Sequence, residues 1–313
     1  SVRVTPSIGI TLAPDDGTDS TQLLKNADLA MYSAKKNNRN NYQFFEHKLN
    51  TNTLERLILE RELSQAVEKN EFILHFQPQI CLLTQRIKGI EALIRWQHPS
   101  KGLLPPGDFI QFAEDSSMII SIGTWVLEQA CKQLKQLDQP NLTVSVNLSP
   151  TQFADPNLLT TITTVLTNTG LAGHQLELEI TETALMENMA NAIHTLKQIK
   201  ALGILIAIDD FGTGYSSLSQ LKNLPADTLK IDREFIKDIT ERADNEVITE
   251  VIIGMGHKMG LTVIAEGIET EEQLNIITRM KCDMAQGYFF SKPVDLKTLH
   301  NYLMTKQKED CLS

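Results

Sequence analysis

Apolar and polar positions alternate in short runs along most of the chain after residue 70, as in β-strands. In the run LELEIT, Glu177, Glu179 and Thr181 fall on one face, and the intervening Leu and Ile residues fall on the other. Runs of this kind alternate with helical patterns, and there are eight: FILHFQPQI, IKGIEALIRW, LTVSVNLS, LELEIT, LIAIDDF, TLKIDREF, LTVIAEGI and MAQGYFF. Eight strand–helix units in about 250 residues predict a (β/α)8 barrel of the TIM type.

Helix-start patterns support this segmentation of the chain. Capping arrangements are predicted over three stretches, residues 108–111, 149–152 and 270–273. The glycines of Gly254-Met255-Gly256, with Gly260, resemble a dinucleotide fingerprint only loosely. They do not follow a strand, so we interpret them as a helix end.

The first 46 residues predict a strand, a helix and a strand ahead of the barrel. The three runs are VRVTPSIGI, TQLLKNADLAMYSAKK and YQFF. So short a segment is a poor candidate for an independent domain. An amphipathic helix, LERLILERELSQAVEKN, then leads into the barrel. We predict two parts, residues 1–46 and residues 47–313.

Composition narrows the classes of function. The chain has 313 residues and a formal net charge of -10, which disfavours nonspecific binding to DNA, RNA or a membrane surface. The four cysteines include no CxxC pair, and no uncharged apolar run is long enough for a membrane span. We expect a cytoplasmic protein. The chain starts within a strand pattern at Ser1, so we expect a fragment whose upstream part could hold a membrane anchor.

Polar residues recur late in the predicted strands or just after them. Any one of them alone would more often be a helix cap or a solvated charge. In a barrel, however, the carboxyl ends of all strands meet on one face, where active sites are built. The set is Glu91, Asn147, Glu179, Asp209, Asp210, Lys230, Asp232, Glu266 and Gln286.

The charges of this set indicate a metal site. Lys230 is its single cation, and it cannot balance carboxylates contributed by several strands. Carboxylate and amide oxygens favour Mg²⁺ or Mn²⁺ over Zn²⁺. The neighbours Asp209 and Asp210 would serve two ions if Asp209 bridges them. Two such ions are a recurring device for phosphoester hydrolysis, because they acidify the attacking water and stabilise the charge on phosphorus oxygens.

The sequence Glu91-Ala92-Leu93, within IEALIRW, resembles the signature of the EAL family of cyclic di-GMP phosphodiesterases. The similarity spans roughly residues 54 to 305 and continues through a series of motifs: QPQI, VNLS, ELEITE, DDFGTGYSSL, LKIDREF, AEGIET and QGYFFSKP. It implies a barrel whose first strand is antiparallel to the others. It also implies a homodimer formed through the barrel.

The resemblance implies a role for each matching position. The implied metal ligands are Glu91, Asn147, Glu179, Asp209 and Asp210. Lys230 matches a lysine that holds the catalytic water, and Glu266 matches a glutamate that acts as general base or near the metals. The implied substrate-side residues are Gln77, Arg95, Asp232 and Gln286. Glu269 matches a residue that stabilises the DFGTG loop, and Glu182 matches a further acidic position near the site.

The N-terminal segment is similar to the tail of a GGDEF domain. The likeness lies in SIGI, ADLAMYSAKK and the Asn-Arg-Asn stretch, where Asn38 replaces the usual glycine. The GGDEF motif itself is not in this chain. Any GGDEF or sensor function is therefore expected in upstream domains of a longer protein.

These observations lead to one main hypothesis and two alternatives. The main hypothesis is a Mg²⁺- or Mn²⁺-dependent enzyme that hydrolyses cyclic di-GMP to linear pGpG in bacterial second-messenger signalling. The first alternative is a receptor module that binds cyclic di-GMP without cleaving it and signals to a partner. The second is a Mg²⁺-dependent barrel enzyme for sugar phosphates or enolates, which the run of motifs disfavours.

Overall fold

The computed structural model describes residues 6–36, 41–45, 59–212 and 221–310. These residues fall into two units, residues 1–66 and 67–313. The predicted domain boundary at residues 46 and 47 stays a prediction. The part of the predicted DFGTG loop from residue 213 on, the Asn-Arg-Asn stretch and the start of the helix predicted from Leu54 lie outside the described residues.

The N-terminal unit has the predicted strand, helix and strand. Its elements are β1 (Ile8–Ile10), α1 (Ser20–Lys36), β2 (Tyr42–Phe44) and α2 (59–66). Strands β1 and β2 pair in parallel, with Ile8 opposite Tyr42. A helix over α1 was predicted from its apolar periodicity and is confirmed.

The second unit is a closed barrel of eight strands with one additional edge strand. The strands are β3 (Phe72–Cys81), β4 (Ile87–His98), β5 (Gly102–Leu104), β6 (Thr143–Asn147), β7 (Leu176–Thr181), β8 (Leu205–Phe211), β9 (Thr228–Ile231), β10 (Thr262–Ala265) and β11 (Met284–Ala285). Their order is β3-β11-β10-β9-β8-β7-β6-β4, and pairing between β3 and β4 closes the ring. Among the described residues, strand β5 pairs with β4 alone and lies outside the ring. The predicted barrel is confirmed.

Strand β3 is antiparallel to both of its neighbours, as the family resemblance implied. The other neighbouring strands of the ring pair in parallel. The carboxyl ends of these parallel strands therefore meet on one face, as the placement of polar residues required.

Helices follow the barrel strands along the chain. They are α3 (Ile110–Asp115), α4 (Ile119–Leu137), α5 (Pro150–Phe153), α6 (Leu158–Thr169), α7 (Glu182–Glu187), α8 (Met189–Ala201), α9 (Arg233–Lys237), α10 (Ala243–Lys258), α11 (Glu271–Arg279) and α12 (Leu296–Asp310). Helix α4 shows how their sequence produces packing, because its apolar residues recur on one side and are buried. In the part of the chain that the structure describes, no helix is both long and apolar enough to cross a bilayer.

Two of the three predicted capping arrangements are confirmed. Ser149 and Thr270 each form a capping box with a glutamine three residues later. The arrangement predicted at Asp108 is wrong, because residues 106–108 form a separate 3₁₀ turn. Helix α3 then begins after Phe109, without a side-chain cap.

Several predicted element ends also need correction. The strand in TLKIDREF ends at Ile231, because Asp232 caps α9 by accepting a hydrogen bond from the Glu234 N–H. Gly254 and Gly256 lie inside α10, so the predicted helix end at these glycines is wrong. The chain leaves the helix at Gly260, whose φ of 76° is in the left-handed region that glycine tolerates.

Candidate active site

Polar residues that are far apart in the sequence meet at the carboxyl ends of the parallel barrel strands. The strand pairing sets their heights, with Gln77 opposite Glu91 and Asn147 opposite Glu179. Each points into the barrel because side chains alternate along a strand and the residues between them pack outward. Gln77, Glu91 and Glu179 keep at most 7% of their surfaces exposed. The barrel therefore places these three polar groups in a protected site, whereas Asn147 at the end of β6 is exposed.

Lys230 lies at the centre of this site, with 1% of its surface exposed. Its Nζ lies 2.6 Å from Glu179 Oε2 and 2.6 Å from Glu266 Oε1. Asp209 Oδ1 is 3.4 Å away, and Glu91 Oε2 is 3.9 Å away. Four of the predicted acidic residues therefore surround one ammonium group.

Amide side chains hold Glu91 from two sides. Asn147 Nδ2 donates to Glu91 Oε1 at 2.7 Å, and Gln286 Nε2 donates to Glu91 Oε2 at 2.5 Å. Gln286 Nε2 also lies 3.1 Å from Gln77 Oε1. These hydrogen bonds link four strand ends, so the orientation of the Glu91 carboxylate is fixed before any ligand binds.

The chain changes direction between the adjacent aspartates of β8. Asp210 has a φ of 53°, and the pairing of β8 with β9 shifts register between Ile208 and Phe211. Asp209 remains 8% exposed, and its carboxylate faces Lys230. An irregular strand end lets two consecutive carboxylates approach one site, which a regular strand would send to opposite faces.

Burial and mutual repulsion shift the proton affinities of the acidic residues. Burial and the nearby Glu91 raise the pKa of Glu179 well above its usual value, against the effect of Lys230. Desolvation raises the pKa of Glu266 to about 8, although Lys230 opposes this shift. Burial and the neighbouring Asp209 raise the pKa of Asp210 to about 6. Burial is the largest cause of each shift, and repulsion from neighbouring carboxylates adds to it.

The pKa of Lys230 is shifted in the direction that favours its charged form. Burial alone would lower the pKa of its ammonium group. The surrounding carboxylates, Asp209 first, outweigh burial and raise that pKa well above its usual value. Lys230 therefore stays cationic in the site.

The remaining predicted residues lie around this centre. Glu182 Oε2 accepts a hydrogen bond from the Gly212 N–H at 3.0 Å, so it anchors the end of β8. Asp232 caps α9 and also contacts the Asp210 side chain. Glu269 lies in the wall of the cleft, and the DFGTG loop that it was predicted to stabilise is described only as far as Gly212.

A cleft of about 180 Å³ opens over the carboxylates. Its wall includes two residues that the sequence analysis did not select, Arg233 and Tyr288. Each follows a predicted site residue by one or two positions, and this proximity was the available signal. Arg95 lies beside this cleft, close enough for Tyr288 and Glu91 to affect its guanidinium. Burial lowers the pKa of Arg95, and these two residues oppose that shift. The cleft therefore combines a negative floor with cationic side chains.

The oxygens of the site suit a divalent cation. Glu179 Oε1, Asp209 Oδ1 and Gln286 Oε1 are buried and make no hydrogen bond within the described residues. Carboxylate and amide oxygens can only accept, so a buried one is costly unless a donor or a cation reaches it. The Lys230 ammonium lies 3.4 Å from Asp209 Oδ1, and the other two oxygens would gain a partner from a bound cation. In the same described ranges, no three His, Cys, Asp or Glu side chains form a preformed metal cage, since the carboxylates are drawn onto Lys230. The donors fit Mg²⁺ or Mn²⁺ after a local rearrangement.

Comparison with known families places two matches on this chain. The EAL domain model matches residues 60–293, and the model of the diguanylate cyclase GGDEF domain matches residues 1–41. The chain is 42% identical over 301 residues to MucR of Pseudomonas aeruginosa, a bifunctional diguanylate cyclase/cyclic di-GMP phosphodiesterase. It is 42% identical over 303 residues to the cyclic di-GMP phosphodiesterase NbdA of the same organism.

These alignments cover most of this chain and less than half of each relative. They include 95% and 96% of this chain, but 44% of MucR and 39% of NbdA. A solved structure, the PaMucR phosphodiesterase in complex with c-di-GMP, is similar with a TM-score of 0.75 and 39% identity. The match covers 77% of this chain and 99% of that one, so the barrel unit has a counterpart of known structure.

Proposed function

Because this chain belongs to the EAL domain family and carries a GGDEF fragment at its N-terminus, we propose that it hydrolyses cyclic di-GMP to linear pGpG with divalent metal ions. The observation that supports this most directly is the group of buried carboxylates around Lys230 beneath an open cleft. A phosphate diester is anionic, so it would approach this acidic floor only with cations in between. The relatives named as cyclic di-GMP phosphodiesterases supply the substrate class.

The proposed metal ligands are Glu91, Asn147, Glu179, Asp209 and Asp210. Mg²⁺ or Mn²⁺ ions bound there, two per site, would acidify a water molecule and neutralise charge on the phosphate. Within the chain, Asn147 and Gln286 orient Glu91, and Lys230 holds Glu179. Metal ions would replace part of these contacts, so binding would need a local rearrangement of the carboxylates around Lys230.

In this proposal, Lys230 and Glu266 would bind and deprotonate the attacking water. Their side chains are 2.6 Å apart, and Glu266 keeps 19% of its side-chain surface exposed towards solvent. A water held by the Lys230 ammonium would lie within reach of the Glu266 carboxylate, which would accept its proton. Beside the cleft, Arg95 would bind a phosphate oxygen. Gln77 and Gln286 in the cleft wall, together with Asp232, would position the substrate.

Product analysis tests the proposal. Purified protein with Mn²⁺ or Mg²⁺ should convert cyclic di-GMP to pGpG, and EDTA should stop the conversion. Glu91→Ala should abolish turnover, because it removes a metal ligand and the acceptor of two hydrogen bonds. Glu128→Ala is the matched control, because Glu128 pairs with Lys132 at the surface of α4.

Two results would contradict the proposal. Turnover by Glu91→Ala at the rate of Glu128→Ala would show that the ligand assignment is wrong. Tight binding of cyclic di-GMP in calorimetry, with no product at any metal concentration, would favour the receptor alternative.

We also infer that the barrel forms a homodimer through α10. Val247, Ile248 and Val251 lie on this helix with 59%, 41% and 64% of their surfaces exposed. Three exposed aliphatic side chains grouped on one helix mark a candidate protein–protein interaction surface. A second copy of the chain is the occupant we propose, since the same patch on two copies can pack about a two-fold axis to give a closed dimer.

Further proposals concern the protein outside the barrel. The GGDEF match and the greater length of the relatives support upstream GGDEF and sensor domains in the full-length protein. We propose residues 1–46 as the end of that GGDEF domain and residues 47–313 as the phosphodiesterase. A chain lacking residues 1–46 should keep its turnover, and loss of turnover would contradict this division. We also propose a cytoplasmic site of action, because Cys81, Cys131 and Cys282 are free thiols, as is usual in a reducing compartment.

A further inference from the structure

A second polar layer lies inside the barrel beneath the site. Glu177 is 4% exposed, and both of its carboxylate oxygens accept a hydrogen bond. Ser145 Oγ donates to Oε2 at 2.7 Å, and Thr228 Oγ1 donates to Oε1 at 2.6 Å. We call Ser145, Glu177 and Thr228 the lower trio. The chemistry proposed above uses none of them.

Each member of the lower trio lies two residues before a site residue on the same strand. Ser145 precedes Asn147, Glu177 precedes Glu179 and Thr228 precedes Lys230. Residues two apart on a strand share a face and are about 6.5 Å apart along it. The lower trio therefore repeats the positions of Asn147, Glu179 and Lys230 one level deeper.

The lower trio ties together strands that are not all neighbours. Ser145 pairs with Glu177 across β6 and β7, whereas Thr228 is on β9, beyond β8. Residue 207 on the intervening β8 is alanine, whose small side chain leaves room for the Glu177–Thr228 hydrogen bond. The Glu177 carboxylate thus fixes the relative heights of three strands.

Burying the Glu177 carboxylate costs folding free energy, which indicates that the lower trio has a functional role. Barrel interiors are usually filled with branched apolar side chains, and a buried carboxylate is expensive compared with such packing. Gln79 extends the polar level on β3, since it is 2% exposed and its Oε1 lies where a side chain on Gly89 would begin. Polar groups that weaken a core in this way are typically found where function requires exact geometry.

We propose that Glu177 is a positioning residue whose hydrogen bonds to Ser145 and Thr228 hold Asn147, Glu179 and Lys230 at the spacing needed for metal binding. This inference rests on the proposed function. Glu177 acts through the strands and touches neither metal nor substrate. Groups that orient metal ligands typically change metal affinity or activity by about 10–100-fold when they are removed.

The test compares two nearly isosteric substitutions of buried threonines. Thr228→Val removes one hydrogen bond of the lower trio, and Thr249→Val is its matched control. Thr249 is also fully buried, on α10, and its hydroxyl makes no hydrogen bond within the described residues. Calorimetric titration of the full chain with Mn²⁺, without substrate, measures metal affinity independently of turnover.

We expect Thr228→Val to raise the Mn²⁺ dissociation constant and lower kcat, each by about tenfold or more. KM for cyclic di-GMP should change little, because the groups on the cleft wall are untouched. Thr249→Val should match the wild type in all three quantities. Glu177→Gln should resemble the wild type more closely than Glu177→Leu does, because an amide can still exchange hydrogen bonds with both hydroxyls.

Two outcomes would overturn the inference. If Thr228→Val binds Mn²⁺ like Thr249→Val, and its crystal structure keeps Asn147, Glu179 and Lys230 in place, the lower trio has only a structural role. The proposed function would survive that result. If the wild type neither binds Mn²⁺ nor hydrolyses cyclic di-GMP, the proposed function fails and this inference fails with it.

Discussion

At the scale of single residues, one buried cation organises the candidate active site. Lys230 contacts carboxylates from three other strands or strand ends within 3.4 Å. The pairing is incomplete, since Glu179 Oε1 makes no hydrogen bond in the described part of the chain, and Asp209 Oδ1 meets Lys230 only at the longer distance of 3.4 Å. The site is therefore stable enough to form, and it still has acceptor atoms for a divalent cation.

Lys230→Met should destabilise the metal-free protein by about 3–5 kcal/mol, because it leaves buried carboxylates without their cation. Added Mn²⁺ should restore part of this loss by replacing the missing positive charge. Urea denaturation in EDTA and in Mn²⁺ measures both effects. The control is Lys132→Met, which removes a surface ion pair with Glu128 and should cost less than about 1 kcal/mol. Equal stability of the two variants in EDTA would contradict the proposed role of Lys230.

The buried cysteines should be inert in the folded protein. Burial raises the pKa of Cys131 and of Cys282 to about 12. At pH 8, four units below that pKa, only about one thiol in ten thousand is the reactive thiolate. In a Cys81→Ser/Cys311→Ser variant, Ellman's reagent should therefore label no thiol until denaturant is added. Rapid labelling of either thiol in the native variant would contradict the structure.

At the scale of elements, the ends of strands and helices decide where the chemistry lies. Asp232 ends β9, caps α9 and contacts Asp210, so one residue serves both the fold and the site. The structural and functional interpretations of such a residue are therefore not exclusive. The left-handed φ of Asp210 likewise serves both the fold and the site. It ends the regular part of β8, and it lets the Asp210 carboxylate approach the same site as that of Asp209.

Two glycines on α10 should respond in opposite ways to alanine. A Cβ at Gly256 would lie 2.5 Å from Val263 Cγ2, so Gly256→Ala should destabilise the protein by about 1–3 kcal/mol through overpacking against β10. A Cβ at Gly254 would meet nothing within 4 Å, so Gly254→Ala should stabilise the helix by up to about 1 kcal/mol. Thermal unfolding of both variants measures the difference. Destabilisation by Gly254→Ala would contradict this prediction, because it would mean that other protein atoms, and not solvent, surround position 254.

At the scale of the whole molecule, closure of the barrel is what brings the site together. Strand β3 pairs with both β4 and β11, so Gln77 meets Gln286 although they are 209 residues apart. The same closure places Glu91 between Asn147 and Gln286. The site is consequently as stable as the barrel itself, and it cannot form in a fragment that lacks either end of the ring.

The proposed dimer is testable on the same scale. Val251→Glu places a charge in the exposed aliphatic patch of α10 and should convert the dimer to a monomer in analytical ultracentrifugation. Leu83→Glu is the control, because Leu83 is 92% exposed on the turn between β3 and β4. A monomeric wild type, or an unchanged dimer in Val251→Glu, would contradict an interface through this helix.

The sequence by itself determined the secondary structure pattern and the chemical character of the site. Alternation in LELEIT predicted that Glu177 and Glu179 share the inner face, and the capping boxes at Ser149 and Thr270 marked helix starts. These features are local, because a strand repeats every two residues and a cap spans four. Family motifs added the antiparallel direction of β3, which no local pattern reveals.

Only the tertiary structure decided which atoms meet. The sequence did not indicate that Glu179 and Glu266 are the carboxylates closest to Lys230, or that Arg233 and Tyr288 line the cleft. It also gave no sign that Glu177 would bond across the barrel to Thr228. These contacts depend on strand order, register and closure, which are set by the packing of residues far apart in the chain. Residue types and their spacing fix what a site can be made of, and the closed barrel fixes the distances within it.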